Sequence, residues 1–289
     1  MVSVIVPAYN EEAAIERTIA ELNSVLLPRG TDVEIIVVDD GSTDRTAELA
    51  AAAGAKVLKK LENVGYGHSL KLGIAAASHD TVVITDADCT YPAEAIPGLL
   101  DHFAAGYDMV VGARTGQNYR ESFIKSPLRK VLGWLVEFTV GRLVPDVNSG
   151  MRVFSRKGVM PHFTNLSDSF SFTTSVTLAY LLDKKYVKYV PIDYHKRVGR
   201  TKVRLLRDSL RTVQYIVHAI LRYNPLKLFL LLALLLAVPG ALLAVVGLVA
   251  GCRDAALFGG QAVLAAVLVF AIGLRAEQTR SGTHLVADE

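Results

Sequence analysis

Cysteine is nearly absent: Cys89 and Cys252 are the only two in 289 residues. One lies in a polar loop and the other in an apolar tail, so a disulfide framework is not expected. Charge of one sign is also lacking. The 31 Lys and Arg against 28 Asp and Glu leave a formal charge of +3, too little to point to nucleic acid. The opening segment, MVSVIVPAYNEE, has neither a basic leader nor a long apolar core. It reads as a strand starting almost at residue 1, and no signal peptide is expected. No G-x-G-x-x-G follows that strand, which disfavours a dinucleotide oxidoreductase. Apolar residues, by contrast, make up 51% of the chain, and most of the excess lies after Pro225. The length suits one sizeable α/β domain plus an appendage.

Val2–Val6, Val33–Val38 and Thr81–Thr85 are short runs rich in β-branched residues, each ending in a polar turn. Near-continuous apolar runs of this kind suit strands buried on both faces of a parallel sheet. Met109–Gly112 continues the series. Between the runs, Ile15, Ile19, Leu22 and Leu26 recur at helical spacing, and Ser42-Thr43-Asp44 offers an N-cap for a helix reaching about Ala53. Strands alternating with helices predict a mostly parallel, Rossmann-like sheet flanked by helices.

The tail is different material. From Leu226 to Ala250 the only side chain that is not apolar is Lys227, over roughly the 20 residues a helix needs to cross a bilayer. A polar turn at 251–254 leads into a second apolar run, Ala255–Leu274. Pro239-Gly240 inside the first run is expected to kink the helix without ending it. A buried hairpin in a soluble core is disfavoured, because no other apolar surface of matching size exists to cover it. Arg222, Lys227, Arg275 and Arg280 flank the outer ends against Arg253 at the tip, which places the outer ends on the cytoplasmic side. Ahead of the spans, Val203–Tyr223 sets Arg204, Arg207, Arg211 and Arg222 on one helical face and Leu206, Leu210, Val213 and Val217 on the other, the pattern of a helix lying at lipid headgroups. Pro127–Leu143, with Arg129, Lys130 and Trp134, reads equally as a second such helix or as one packed on the domain. The expected organisation is a cytosolic domain over 1–200, a juxtamembrane helix over 201–224, a two-helix transmembrane hairpin over 225–275 (226–250 and 255–274) and a cytosolic tail over 276–289.

In TVVITDADCTYP an apolar run ends in two aspartates one residue apart. Residues i and i+2 of an extended segment point to one side, so Asp86 and Asp88 face one space. Ligands of open α/β sheets bind outside the carboxyl ends of the strands. Hard divalent cations prefer oxygen ligands, typically carboxylates together with substrate phosphates. The pair therefore points to a metal ion carrying a phosphorylated ligand, although a lone D-x-D is a weak signal. The second strand ends alike, in VVDDGSTD, where Asp39 and Asp40 suit either a nucleoside's donors or simple turn chemistry. The first ends in PAYNEE, and ENVGYGHSLKLGI sets Asn63, Gly65 and Gly67 ahead of a helix bearing Lys71.

PAYNEE, VVDDGSTD, NVGYG and DAD, in this order and spacing, resemble the family 2 glycosyltransferases of GT-A fold. The likeness continues through VGAR (Arg114), DVNSGMRVFSR (Asp146, Ser149, Gly150, Arg152), HKRVGRTK and NPLKLF, covering about residues 1–235. It is similar to the dolichol- and polyprenyl-phosphate mannose or glucose synthase branch. The resemblance implies a GT-A sheet and a nucleotide-sugar site comprising Pro7, Tyr9, Glu11, Asp39, Asp40 and Lys71. It implies Asp86, Ala87 and Asp88 as the metal and diphosphate motif, with Arg114, Arg197 and Lys202 near the phosphates. Asp86, Asp88 and Asp146 form the implied catalytic set, with Asp146 read as an orienting or structural group. Arg129, Arg152 and Arg200 are the implied holders of an acceptor phosphate. Thr90 stands where relatives often carry glutamine, so Thr90 or water would complete the metal shell. The basic motif also departs from the usual pattern and leaves Lys196 and Arg197 as alternatives.

The implied activity is inverting transfer, dependent on Mg2+ or Mn2+, of mannose or glucose from a GDP- or UDP-sugar to a dolichyl or undecaprenyl phosphate. The setting is the cytosolic face of a cell membrane or an endoplasmic-reticulum-type membrane, with a homo-oligomer left open. A phosphate monoester is mostly dianionic at neutral pH, so such an acceptor needs basic residues to hold it and no general base. Three alternatives stand beside this. A processive polysaccharide synthase is disfavoured, because the only tryptophan, Trp134, lies in VLGWLV and not in a Q-x-x-R-W motif. Transfer to a lipid hydroxyl or a growing glycan is the second. The third is a membrane-anchored nucleotide-sugar-binding scaffold, against which the intact Asp39, Asp86, Asp88 and Arg197 count.

Overall fold

The computed structural model describes residues 1–30, 32–116, 125–198 and 205–286, and only the backbone of 125–129, 205–209 and 280–286. The chain divides into two compact units, Met1–Ile216 and Val217–Glu289.

The first unit is built on a seven-stranded sheet ordered β3-β2-β1-β4-β6-β5-β7. Its strands are β1 (Val2–Ala8), β2 (Val33–Asp39), β3 (Lys56–Lys59), β4 (Thr81–Ile84), β5 (Met109–Thr115), β6 (Arg152–Ser155) and β7 (Val187–Asp193). The four expected strands are present, and β1, β2 and β5 run further than their apolar runs. β3, β6 and β7 were not expected. β6 inserts antiparallel between β4 and β5, so the sheet is mixed.

Every residue of β1 is buried. The period-2 alternation of a strand sends Val4 and Val6 to one face, with Ile15, Ile19 and Leu22, and Ile5 to the other, with Ile36, Val38, Leu70 and Ile74. The buried Ser3 fits because its hydroxyl donates to Glu34 at 2.8 Å. Helices α1 (Ile15–Leu26), α2 (Thr46–Ala52), α3 (Tyr66–Ala76) and α4 (Ile96–Ala104) connect the first five strands, and α5 (Lys125–Val140), α6 (Phe172–Leu182) and α7 (Leu205–Tyr223) follow. α2 starts later than its expected cap. Asp44 still acts at that end, accepting from the Thr46 N–H at 3.0 Å. Of the expected headgroup helix, Val203 and Arg204 lie outside the described residues. The division between the two units falls within α7.

The second unit contains α8 (Pro225–Val249) and α9 (Arg253–Val286). α8 and the Arg253–Thr279 part of α9 are each long and apolar enough to cross a membrane. α8 does not end at Pro239, and α9 runs well past the expected second span. The residues these helices bury against one another are small and seven apart: Ala233, Gly240 and Gly247 in α8, and Gly259, Ala266 and Gly273 in α9. A Cβ on Gly240 would stand 2.8 Å from that of Ala262, and one on Gly259 would strike the backbone of Ala244. Small residues at such spacing let two backbones approach closely, a mode of packing used within lipid.

Candidate active site

β2, β1 and β4 are adjacent and parallel, so their carboxyl ends share one edge of the sheet. The acid-rich turns after them are thereby brought together. Pro7 and Ala87 are buried in this edge and Tyr9 is partly buried. The loop after β4 turns sharply at Cys89, a non-glycine residue with φ of 59°. Such a conformation costs on the order of 1–3 kcal/mol and persists only where surroundings enforce it. Here they do: the Cys89 thiol lies 3.3 Å from the Thr18 hydroxyl.

Asp86 accepts a hydrogen bond from the Tyr66 hydroxyl at 2.9 Å. Burial first, and then the charge of Asp88, push its pKa up to about 7, against the opposing pull of Tyr66, Arg197 and Arg114. The shift is due first to burial and only second to the like charge of Asp88. On Asp88, Oδ1 accepts from both the hydroxyl and the N–H of Thr90. Oδ2 pairs with Arg197 Nε at 3.1 Å. The segment after β7 delivers that arginine: the His195 N–H donates to the Thr90 carbonyl at 2.9 Å, and the Val198 N–H to the Asp88 carbonyl at 3.2 Å. Arg197 also reaches Glu11 Oε1 at 3.4 Å, so it joins the acids that follow β1 and β4. Lys196 is exposed. Between the two alternatives, Arg197 is the one that faces the acid pair.

Asp39 is fully buried. One of its oxygens accepts from the Ser42 N–H at 3.1 Å, and the other has no hydrogen-bond partner among the described residues. A buried carboxylate oxygen left so is a mark of a ligand site. Two hard carboxylates facing one space, with one pushed towards neutrality, fit a divalent cation such as Mg2+ or Mn2+. Gly150 fits the same purpose, because a Cβ there would stand 2.9 Å from both oxygens of Asp86.

Several expected site residues have other duties. Both oxygens of Asp40 are engaged, by the Lys60 ammonium and by the N–H groups of Val64 (2.9 Å) and Gly65 (3.0 Å), so Asp40 anchors the NVGYG loop. Lys71 donates to the Leu166 carbonyl at 2.6 Å and to Asp168 at 2.7 Å, away from the acid pair. Thr90 is buried, and both its hydroxyl and its N–H are spent on Asp88 Oδ1. Arg152 corrects the expectation most sharply. It is fully buried, its guanidinium donating to the carbonyls of Ser149 (2.8 Å) and Val147 (2.7 Å) and to the Thr177 hydroxyl (2.7 Å). It fastens the loop before β6 and is closed to an acceptor phosphate. Arg200 and Lys202 lie outside the described residues, and of Arg129 only the backbone is described, in α5.

Asp146 and Arg114 form a two-pronged pair, with Nε at 2.8 Å from one oxygen and Nη2 at 2.9 Å from the other; the Arg114 N–H adds a third bond at 3.1 Å. Burial raises the Asp146 carboxyl, but Arg114 outweighs it and holds the group below the usual carboxylate range. A carboxylate so held is a weak proton acceptor and a firm orienting group. The Arg114 guanidinium also lies over the Tyr194 ring, 5.5 Å from its centroid. Tyr194 meets Tyr91 edge-on at 5.3 Å, and the Tyr91 hydroxyl accepts from the Gly150 N–H at 2.6 Å. These tyrosines, with Tyr66, were not among the expected site residues. The one available signal was position: Tyr66 lies in NVGYG and Tyr91 three residues after Asp88.

Residues 3–163 match the family model described as glycosyl transferase family 2. A dolichyl-phosphate hexose transferase of Haloferax volcanii is 31% identical over 70% of this chain and 86% of its own. An undecaprenyl-phosphate 4-deoxy-4-formamido-L-arabinose transferase of Klebsiella pneumoniae is 30% identical over 94% of this chain and 84% of its own. Among solved structures, glucosyl-3-phosphoglycerate synthase from Mycobacterium tuberculosis, in complex with Mn2+, uridine diphosphate and glucosyl-3-phosphoglycerate, superposes with a TM-score of 0.60. It is 25% identical and the match covers 76% of this chain and 79% of that one.

Proposed function

The chain belongs to glycosyl transferase family 2, and from that premise we propose that it moves a hexose from a nucleotide sugar to the phosphate of a polyprenyl lipid, with inversion, at the cytosolic face of a membrane. The observation that carries the reading is the acid pair Asp86–Asp88, held on one sheet edge beside Arg197 and the unpartnered oxygen of Asp39. Relatives named for dolichyl- and undecaprenyl-phosphate acceptors support the lipid. The apolar helices α8 and α9 support the membrane, and Arg222, Lys227 and Arg275 at their outer ends support the cytosolic side.

In this reading Asp39 accepts a hydrogen bond from the nucleoside, with Tyr9 and Glu11 beside it. Asp86 and Asp88 hold Mg2+ or Mn2+, which when bound would neutralise charge on the diphosphate leaving group. Arg197, already drawn to this edge by Asp88 and Glu11, adds fixed positive charge there. The acceptor's phosphate oxygen forms the new bond to the anomeric carbon as the bond to the diphosphate breaks, and the electron pair leaves with the nucleoside diphosphate. A dianionic phosphate needs no base. Asp146 is consistent with this, because its bidentate hold on Arg114 leaves it poorly suited to take a proton.

The test is incubation of membranes containing the chain with a panel of radiolabelled nucleotide sugars, with and without chelator, followed by lipid extraction. Lipid-linked, acid-labile label that disappears with chelator is expected. Full transfer in excess chelator overturns the metal assignment. The likeness to formamido-arabinose transferases favours one second reading, a pentose donor, which the same panel separates from mannose and glucose.

A further inference from the structure

We propose that Tyr66 is a positioning residue for the metal-binding carboxylate Asp86, and that Phe170 holds Tyr66 in that role. This rests on the assignment of Asp86 and Asp88 to a divalent cation.

Each aspartate of the pair has one oxygen taken by a hydroxyl. Thr90 serves Oδ1 of Asp88 and lies two residues away, so that contact comes with the turn itself. Tyr66 serves Oδ1 of Asp86 from 20 residues away, on the first turn of α3. Its reach has to be built, and the surroundings show how. The Tyr66 ring stacks on Phe170, with centroids 5.4 Å apart and planes 16° from parallel. Phe170 is itself 39% exposed, so it stands at the surface and not within the buried core. The segment carrying it is pinned on several sides. The His68 N–H donates to the Asp168 carbonyl at 3.0 Å, Lys71 ties Leu166 and Asp168, and Ser171 shares a 2.9 Å hydrogen bond with Thr212 of α7. Gly65 is where α3 meets this segment: a Cβ there would lie 2.5 Å from the Asp168 carbonyl oxygen. The start of α3 and residues 166–171 are therefore built as one support.

Asp86 also abuts Gly150, where there is room for the carboxylate and none for a side chain. The Tyr66 hydroxyl on Oδ1 and the close approach of Gly150 to both oxygens together fix the carboxylate's orientation. Groups that orient a metal ligand without touching the metal typically change its affinity about 10- to 100-fold when removed.

The test uses the full chain in lipid nanodiscs and measures Mn2+ affinity directly, by electron paramagnetic resonance of the free ion, with thermal unfolding alongside. Tyr66→Phe keeps the ring stack and removes the hydroxyl. It is expected to weaken Mn2+ binding at least about tenfold at an unchanged Tm, to recover transfer at high Mn2+, and to leave KM for the lipid phosphate unmoved. Phe170→Ala keeps the hydroxyl and removes its backstop, with about a two- to tenfold loss expected in the same direction. Wild-type affinity in Tyr66→Phe, or a loss in step with a lowered Tm that added Mn2+ does not rescue, overturns the inference. Should Tyr66→Phe fail to fold, unchanged affinity in Phe170→Ala overturns it alone. A wild-type chain that binds no Mn2+ overturns the functional reading and this one with it, whereas a wild-type chain that binds beside an equally tight Tyr66→Phe overturns only this one.

Discussion

The two units treat their apolar side chains in opposite ways. In the sheet unit the large ones go inside: Ile36 is 0% exposed between the sheet and α3. In the helical unit the small ones go inside. Gly240, Gly247 and Gly259 are buried, while Leu242 is 65% exposed. The difference follows from the solvent each region is made for. In water, burying an isoleucine contributes about 1.5–3 kcal/mol. Between lipid tails a leucine gains nothing by turning inward, and close backbone approach through small residues takes over. The acid pair, Arg114, Arg197 and the buried Asp39 all lie in the first unit. The second holds none of this chemistry.

Substitutions should affect the two units differently, and the largest effect is on activity. Asp88→Asn should abolish transfer with Tm and membrane retention unchanged, checked by product formation and sedimentation of the same preparation; transfer surviving it would separate the chemistry from the sheet edge. Next is the sheet core. Ile36→Ala should destabilise the first unit by about 2–5 kcal/mol, read from denaturant unfolding. In the hairpin the sensitive position is a small one. Gly259→Leu should cost about 1–3 kcal/mol in micelles by thermal unfolding, because its side chain would meet the Ala244 backbone. A smaller effect is expected from Glu34 at the opposite edge of the sheet. Burial raises its carboxyl, but hydrogen bonds from Ser78, Ser3 and Lys56 prevail and hold it at about 2, below its ordinary 4.5. A depressed folded-state pKa gives stability that is present above the unfolded value and is lost as pH falls from there through about 2. Glu34→Gln should therefore flatten the fall of Tm between those values, by about 1 kcal/mol after screening. Smallest of all, Leu242→Ala should stay within about 0.5 kcal/mol, and a core-sized loss there would show that this face is packed against protein.

What could be read from the sequence divides along physical lines. β1, β2, β4 and β5 are continuous apolar runs because both faces are covered, and that pattern is local. β6 was hidden because RVFS is short and opens on an arginine, whose burial is made tolerable by carbonyls of the loop just before it, at 147 and 149, and by a hydroxyl at 177. β7, VKYVPID, carries a lysine and a proline that an edge strand tolerates and a central one does not. The carboxylates stood out because they end strands, and parallel neighbours put strand ends side by side. The parts played by Asp40, Lys71 and Tyr66 depend on contacts made across the fold, with loops such as 166–168, and no local spacing announces them. The hairpin was readable in composition alone, although the choice of glycine and alanine for its inner seam was not foreseen.

In the proposed transfer the phosphate acceptor supplies its own charge, and Asp146 is held by Arg114 and does not act as a base. The direct measurement offers the full chain in nanodiscs a polyprenyl phosphate and the matching free polyprenol together, with labelled nucleotide sugar and Mn2+. Label on the phosphate alone, persisting at a measurable rate in Asp146→Asn, is the predicted result. Label on the free alcohol, abolished in Asp146→Asn, would contradict it.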